Sequence, residues 1–184
     1  MNYFEELTQT RQRSSKNMAQ SINSMIVDIR KENIKQSLSD LENTSHRQDF
    51  VATIDDVMYY DDSKSESVNA TWFTFDSVIE PVIWIAGGTS PKADISELAS
   101  VAEEKVKVLI AIGEAETKLR ETFGEHVKEI YGANDIEDAV EMASIIAQEG
   151  DVVLFSPACK SSEPSEGFAE RGNRFIESVK QLEK

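Results

Sequence analysis

Three uninterrupted apolar runs constrain this chain most: Val82-Ile83-Trp84-Ile85-Ala86, Val108-Leu109-Ile110-Ala111-Ile112 and Val152-Val153-Leu154-Phe155. A strand with one wet face alternates apolar and polar residues, whereas these runs do not alternate. They therefore read as strands buried on both faces, the pattern of a parallel sheet covered by helices. Helical stretches separate them, among them Ile136, Ala139, Val140, Ala143 and Ala147 on one face, and a last helix from about Gly167 to Leu182. Asp94-x-x-Glu97 and Asn134-x-x-Glu137 resemble capping boxes. Val127 to Tyr131 reads as a further strand. Upstream, Phe50–Ile54 and Val57–Tyr60 flank Asp55-Asp56, a hairpin around a tight polar turn. Ser67 to Val78 follows as a helix, with Trp72, Phe75 and Ile79 expected on a common face. Both tryptophans, Trp72 and Trp84, are read as core rather than as ligand-stacking groups. Hairpin followed by alternating α and β predicts an α/β three-layer sandwich with a mainly parallel sheet and right-handed crossovers. Before it, residues 1–44 form a helical segment with Met18, Ile22, Met25, Ile26 and Ile29 at helical spacing, and residues 45–184 form the α/β domain.

The 184 residues, 40% hydrophobic and 29% charged, suffice for one domain plus an appendage. A formal net charge of −15 argues against nucleic acid and anionic membrane surfaces, which require clustered Lys and Arg. No apolar run reaches the roughly 20 residues of a membrane span, and the first residues lack a signal-peptide core. Cys159 stands alone, so no internal disulfide forms. These features read as a soluble, cytoplasmic chain. His46 and His126 stand in no Cys or Asp pattern that makes a metal site. Cys159 has no evident base, and Ser156 lacks the G-x-S-x-G elbow of a hydrolase.

Ligands of such a sheet sit beyond the carboxyl ends of its strands. There the sequence places Asp61-Asp62-Ser63-Lys64-Ser65, Gly87-Gly88-Thr89-Ser90-Pro91-Lys92, Gly113-Glu114 and Ser156-Pro157-Ala158-Cys159-Lys160-Ser161-Ser162. Lys64, Lys92 and Lys160 are expected on one rim, among hydroxyls and glycines. Ammonium groups with hydroxyls and backbone N–H groups suit a carboxylate or phosphate; ordinary polar turn chemistry is the alternative.

Taken in order, several of these stretches carry a resemblance. His46-Arg47, Asp61-Asp62-Ser63-Lys64-Ser65-Glu66-Ser67, Gly87-Gly88, the run Gly150 to Ser161 and Phe168-Ala169-Glu170-Arg171-Gly172-Asn173-Arg174-Phe175 follow one another as in the C-terminal domain of the Mur ligases. Within that family the chain is most similar to the bacterial ligases that add D-glutamate in peptidoglycan synthesis. The resemblance covers about residues 35 to 182 and implies a Rossmann-like fold. It implies Lys64, Ser63, Ser161 and Phe168 as substrate-binding, and Arg47 and Asp62 as close to the nucleotide; Lys92 and Lys160 remain candidate anion contacts by their place on the rim alone.

The departures are specific. Glu66 and Ser67 stand where the family motif has Thr and Asn. Thr89-Ser90-Pro91-Lys92 loses an Asp and displaces a base. Ser162-Glu163-Pro164-Ser165-Glu166 replaces a more apolar segment that usually carries Lys. A Glu66 carboxylate facing the pocket would repel a dicarboxylate. No stretch matches the phosphate loop G-x-x-x-x-G-K-[ST]. Acyl-phosphate formation needs Mg²⁺ and a phosphate cradle. ATP and Mg²⁺ are therefore expected only with a partner carrying the family's central domain, and neither cofactor nor metal on this chain alone. The expected function is a non-catalytic binding or regulatory module for an acidic amino acid or nucleotide. Two alternatives stand beside it. One is a subunit of a split ATP-dependent ligase acting with a Mur-type ATP-binding chain. The other is a structural protein that forms homo-oligomers through its N-terminal helices and keeps a vestigial pocket.

Overall fold

A computed structural model describes residues 45–184 except 80, 90–92, 162–165 and 184. The N-terminal helical segment, its role in oligomerisation, and Lys92 lie outside the described residues.

The order is β1 (Asp49–Ile54), β2 (Val57–Asp61), α1 (Val68–Ser77), β3 (Val82–Gly88), a 3₁₀ turn (Ile95–Leu98), α2 (Ala99–Lys105), β4 (Val106–Gly113), α3 (Glu116–Phe123), β5 (Glu129–Ala133), α4 (Ile136–Ile146), β6 (Val152–Phe155) and α5 (Phe168–Leu182). The strands form one sheet in the order β1-β2-β6-β3-β4-β5. Only the β1–β2 pairing is antiparallel; β2–β6, β6–β3, β3–β4 and β4–β5 are parallel. Asp55 and Asp56 both take positive φ, 50° and 59°. This is the left-handed pair that a two-residue hairpin turn requires, and Asp tolerates it.

The three apolar runs are the central strands. Their side chains alternate between two buried clusters, one on each face. Trp84, Ala86, Leu109, Ala111 and Leu154 join Phe75, Leu98, Ala102, Leu119 and Phe123. Ile83, Ile85, Val108, Ile110, Val153 and Phe155 join Ile136, Ala139, Val140, Ala143, Phe175 and Val179. Burying a side chain of this size stabilises by roughly 1.5–3 kcal/mol. The sheet is thus anchored on both faces, and its carboxyl-end loops start from fixed points.

Three local expectations need correction. In α1 the buried residues are Val68, Thr71, Thr74 and Phe75, while Trp72 is 40% exposed and Ile79, beyond the helix end, is 91% exposed. Trp72 is therefore not core; Trp84 is. The helix turns hydroxyls inward because it faces a buried carboxylate, Asp62, which accepts from Thr74 Oγ1 at 2.7 Å. The N-cap of α4 is Asp135 rather than Asn134: Asp135 Oδ1 accepts from Asp138 N at 2.8 Å, and Asp138 Oδ2 accepts from Asn134 N and Nδ2. The strand expected at Val127 to Tyr131 lies two residues later, as β5.

Candidate functional site

The candidate residues gather where β2, β3 and β6 end, beneath the first turns of α5. Gly87 and Gly88 make this convergence feasible. Their φ values are 132° and 136°, and a Cβ on Gly88 would lie 2.0 Å from Lys160 O, one on Gly87 2.1 Å from Ile112 O. Only glycine permits both the dihedral and the approach. Across this contact Gly87 N donates to Pro157 O, and Thr89 N to Lys160 O. The glycines thus pack strand ends together, which differs from the open cradle of a phosphate loop.

Helix α5 supplies the organising group. Arg171 is 2% exposed. Its Nη1 donates to Cys159 O at 3.1 Å and its Nη2 to Ser63 O at 3.1 Å. One guanidinium thereby ties the loop after β2 to the loop after β6. Glu66 Oε1 lies 3.4 Å from Nη2, and the Phe155 ring centroid 5.8 Å from the guanidinium carbon. Glu66 therefore faces a cation, which offsets the repulsion expected of it. Burial pulls the Arg171 pKa below its ordinary value, while the carboxylates of Glu66 and Glu166 oppose the shift.

On one side of Arg171 lies the motif Asp61 to Glu66. Lys64 Nζ stands 5.4 Å from the Phe168 ring centroid, so two residues 104 positions apart meet as a cation–π pair (168 − 64 = 104). His46 packs its edge on the same ring, with centroids 6.2 Å apart, and its Nδ1 pairs with Asp61 Oδ2 at 2.6 Å. Lys64 N donates to His46 O, and Ser63 N to Asp61 Oδ1. Ser63 is buried, and its Oγ has no hydrogen-bond partner.

Asp62 points the other way, into the protein. Oδ2 accepts from Thr74 Oγ1 and Ser156 Oγ, both at 2.7 Å. Burial pushes its carboxyl up; the hydroxyls of Thr74, Ser65 and Ser156 and the charge of Arg47 act against that. Ser65 contributes nearness rather than an aligned bond, since its Oγ and Asp62 Oδ1 both lack a partner. Arg47 Nε is likewise buried and unpartnered.

Ser161 lies on the other side of Arg171, in a cavity of about 160 Å³ bordered by Gly87, Gly88, Gly113, Arg171 and Arg174. Its Oγ donates to Glu166 Oε2 at 2.5 Å. Lys160 is exposed, and its carbonyl accepts from Thr89 N and Oγ1. Lys64 and Phe168 thus meet beside Ser63 on one side of Arg171, Ser161 lines the cavity on the other, and the Asp62 carboxylate, with the charge of Arg47 acting on it, turns into the protein. The sequence reading gave Arg171, Arg174 and Glu166 no site role, although the first two stand in its Phe168–Phe175 motif and the third in its altered loop. The signal was Phe168, Arg171 and Arg174 at helical spacing, which puts Phe168 and Arg171 one turn apart on a face. Cys159 is buried and its thiol is raised to about 11, by burial, with Arg171 opposing. Among the described residues no three His, Cys, Asp or Glu side chains group to hold a metal, and no helix is long and apolar enough to cross a membrane.

Residues 46–159 match the family model described as Mur ligase, glutamate ligase domain. The UDP-N-acetylmuramoylalanine–D-glutamate ligase of Salinibacter ruber is 36% identical over 165 residues, covering 90% of this chain and 36% of the relative. The ligase of the same name from Chloroherpeton thalassium is 38% identical over 154 residues, covering 84% of this chain and 33% of the relative. The chain therefore spans about a third of the length of the relatives it matches. Among solved structures, MurF ligase from Thermotoga maritima in complex with ADP superimposes with a TM-score of 0.52 at 18% identity, over 77% of this chain and 32% of that one. MurF from Acinetobacter baumannii gives a TM-score of 0.53 at 13% identity, over 78% and 32%. At these identities the structural likeness concerns the fold.

Proposed function

The chain belongs to the Mur ligase, glutamate ligase domain family, and from that premise we propose that its α/β domain binds a small acidic amino acid as a binding or regulatory module. The observation that carries the reading is the meeting of Lys64 and Phe168, 5.4 Å from ammonium to ring centroid, at the carboxyl end of the sheet. A cation beside an aromatic wall, with hydroxyls near, suits a carboxylate on a short aliphatic stem. D-Glutamate is the leading ligand because the relatives' names specify it. The module works in the cytoplasm, where no disulfide is required of its single buried cysteine.

Phosphoryl transfer to a carboxylate requires a phosphate cradle and Mg²⁺, and no phosphate-loop motif occurs in these 184 residues. One observation favours the second reading, a ligase subunit completed by a separate ATP-binding chain. The buried Nε of Arg47 has no partner, and the Asp62 carboxylate that feels its charge has one unpartnered oxygen. A guanidinium with a spare N–H fits a nucleotide phosphate, and a carboxylate fits the edge of a Mg²⁺ shell. Arg47 would flank the nucleotide, with Asp62 reaching the metal shell only if the partner opens its buried setting; the phosphoryl chemistry would come from ATP and Mg²⁺ held by the partner.

Calorimetric titration with D-glutamate, ATP–Mg²⁺ and the uridine-nucleotide muramoyl-alanine tests both readings. Saturable D-glutamate binding, weakened at least tenfold in Lys64→Ala, is the expected result. Undiminished binding in Lys64→Ala would remove the site from this position. ADP release by the purified chain alone would overturn its non-catalytic role.

A further inference from the structure

We propose that Ser161 and Arg174 form a carboxylate-binding site which the unliganded chain fills with its own Glu166. The inference rests on reading the domain as an acid-binding module with Ser161 among its substrate-binding residues, and it adds Arg174 as a partner of the acid and Glu166 as an internal competitor for it.

Glu166 has the partners a bound carboxylate would have. Oε2 accepts from Ser161 Oγ at 2.5 Å, and Oε1 from Arg174 Nη1 at 3.0 Å. A short hydroxyl–carboxylate bond with a guanidinium on the second oxygen is charge-assisted at both ends. The side chain is 14% exposed, so the carboxylate lies in the cavity wall rather than in solvent. Arg171 borders the same cavity, and Glu166 is one of the charges acting on it.

Arg174 is built to present one edge here. Its Nε and Nη2 are held by Glu137 at 2.9 and 2.6 Å, a two-point clamp that fixes the plane of the guanidinium. Nη1 is left directed at Glu166. Glu137 comes from α4 and Arg174 from α5, and the two helices pack side by side against the same face of the sheet. The recognition edge is therefore set by rigid elements. Removing Glu166 leaves the oriented Nη1 of Arg174 at the cavity that Ser161 and Arg171 also line.

A tethered carboxylate competes with a free one as an intramolecular ligand. A site that is vacant only about a tenth of the time weakens apparent affinity about tenfold. The ligand class is a small carboxylate, and glutarate isolates that chemistry because it lacks the amino group.

The test is titration of the full 184-residue chain with glutarate and with D-glutamate, comparing wild type, Glu166→Ala, Glu166→Gln and Glu166→Ala/Ser161→Ala. Glu166→Ala should bind glutarate at least tenfold more tightly than wild type. Adding Ser161→Ala should remove the gain, which simple loss of a repelling charge would leave in place. Glu166→Gln keeps the shape and should fall between wild type and Glu166→Ala, so the comparison survives if the alanine variant fails to fold. Equal glutarate affinity in wild type and both Glu166 variants overturns the inference and leaves the acid-binding reading intact. D-Glutamate binding that depends on Lys64, with no glutarate binding to any variant, does the same. Failure of both acids to bind any variant overturns the inference and the reading together.

Discussion

Gly172→Ala should destabilise the domain although it replaces glycine within a helix. Alanine in place of glycine ordinarily stabilises a helix interior by about 1 kcal/mol. At Gly172 the added Cβ would lie 2.3 Å from His46 Nδ1, 2.3 Å from Ser63 Oγ and 2.7 Å from Asp61 Oδ2. None of these atoms ends a flexible arm. Asp61 and Ser63 are fully buried, Asp61 is pinned by Ser63 N at 2.9 Å, and His46 Nδ1 is held on Asp61 at 2.6 Å. Either α5 retreats, loosening Arg171 from both loops, or the His46–Asp61 pair opens. Overpacking costs about 1–3 kcal/mol, and loss of a hydrogen bond to a charged group about 1.5–3 kcal/mol. With both costs incurred and set against the gain in helix propensity, the net loss is about 1.5–5 kcal/mol. For a domain of this size that lowers Tm by roughly 5–15 °C. Differential scanning calorimetry, with urea unfolding to check that the m-value is unchanged, measures it. A Tm equal to or above wild type would refute the close approach of α5 to the His46–Asp61–Ser63 cluster.

Two further outcomes follow from burial. Burial, more than any other cause, raises the Asp62 carboxyl in the folded protein, so the native state binds that proton more tightly than the unfolded chain. The group's contribution to stability is therefore most favourable at low pH and is lost as pH rises through the folded pKa. Asp62→Asn, which keeps an acceptor for Thr74 and Ser156, should unfold at higher urea than wild type at pH 7, with the difference narrowing toward pH 4. A constant difference would contradict an ionisation confined to the buried site. At Cys159, a thiol raised to about 11 by burial should react with iodoacetamide at pH 8 at least about 100-fold more slowly in the folded than in the urea-unfolded chain. Rates within tenfold of each other would show the thiol to be exposed.

The central sheet was legible because burial on both faces leaves a continuous apolar run that helices cannot imitate at so short a length. The hairpin was legible because two aspartates between apolar runs have few other conformations open to them. Trp72 was misread because periodicity assumes that the apolar side of a helix faces inward. In α1 the inward side includes Thr71 and Thr74, satisfied by Ser65 O, Ser156 and Asp62. A buried carboxylate reverses the usual sorting of its neighbours, and a linear pattern carries no mark of that. The α4 cap slipped by one residue because Asn134 and Asp135 both cap well, and the choice depends on which one Asp138 N reaches.

The site was legible as loops at strand ends and as motifs, but its charge arrangement was not. Lys64, Lys92 and Lys160 read as a lysine rim, yet the cations that organise the described site are the arginines of α5. Helical spacing puts Arg171 one turn from Phe168, but spacing alone does not tell that its guanidinium turns inward to two loops. Its length lets it span from the helix to two carbonyls belonging to different loops, and a buried charge persists only where such partners exist. A buried arginine lacking a nearby carboxylate would carry a large desolvation cost. The substitutions that look like erosion in the sequence acquire a physical role here. Glu66 gives Arg171 a carboxylate at 3.4 Å, and Glu166 gives Arg174 one at 3.0 Å. Both departures from the family pattern place an internal anion against an arginine of α5. Each substitution thereby lowers the cost of holding the site's positive charge.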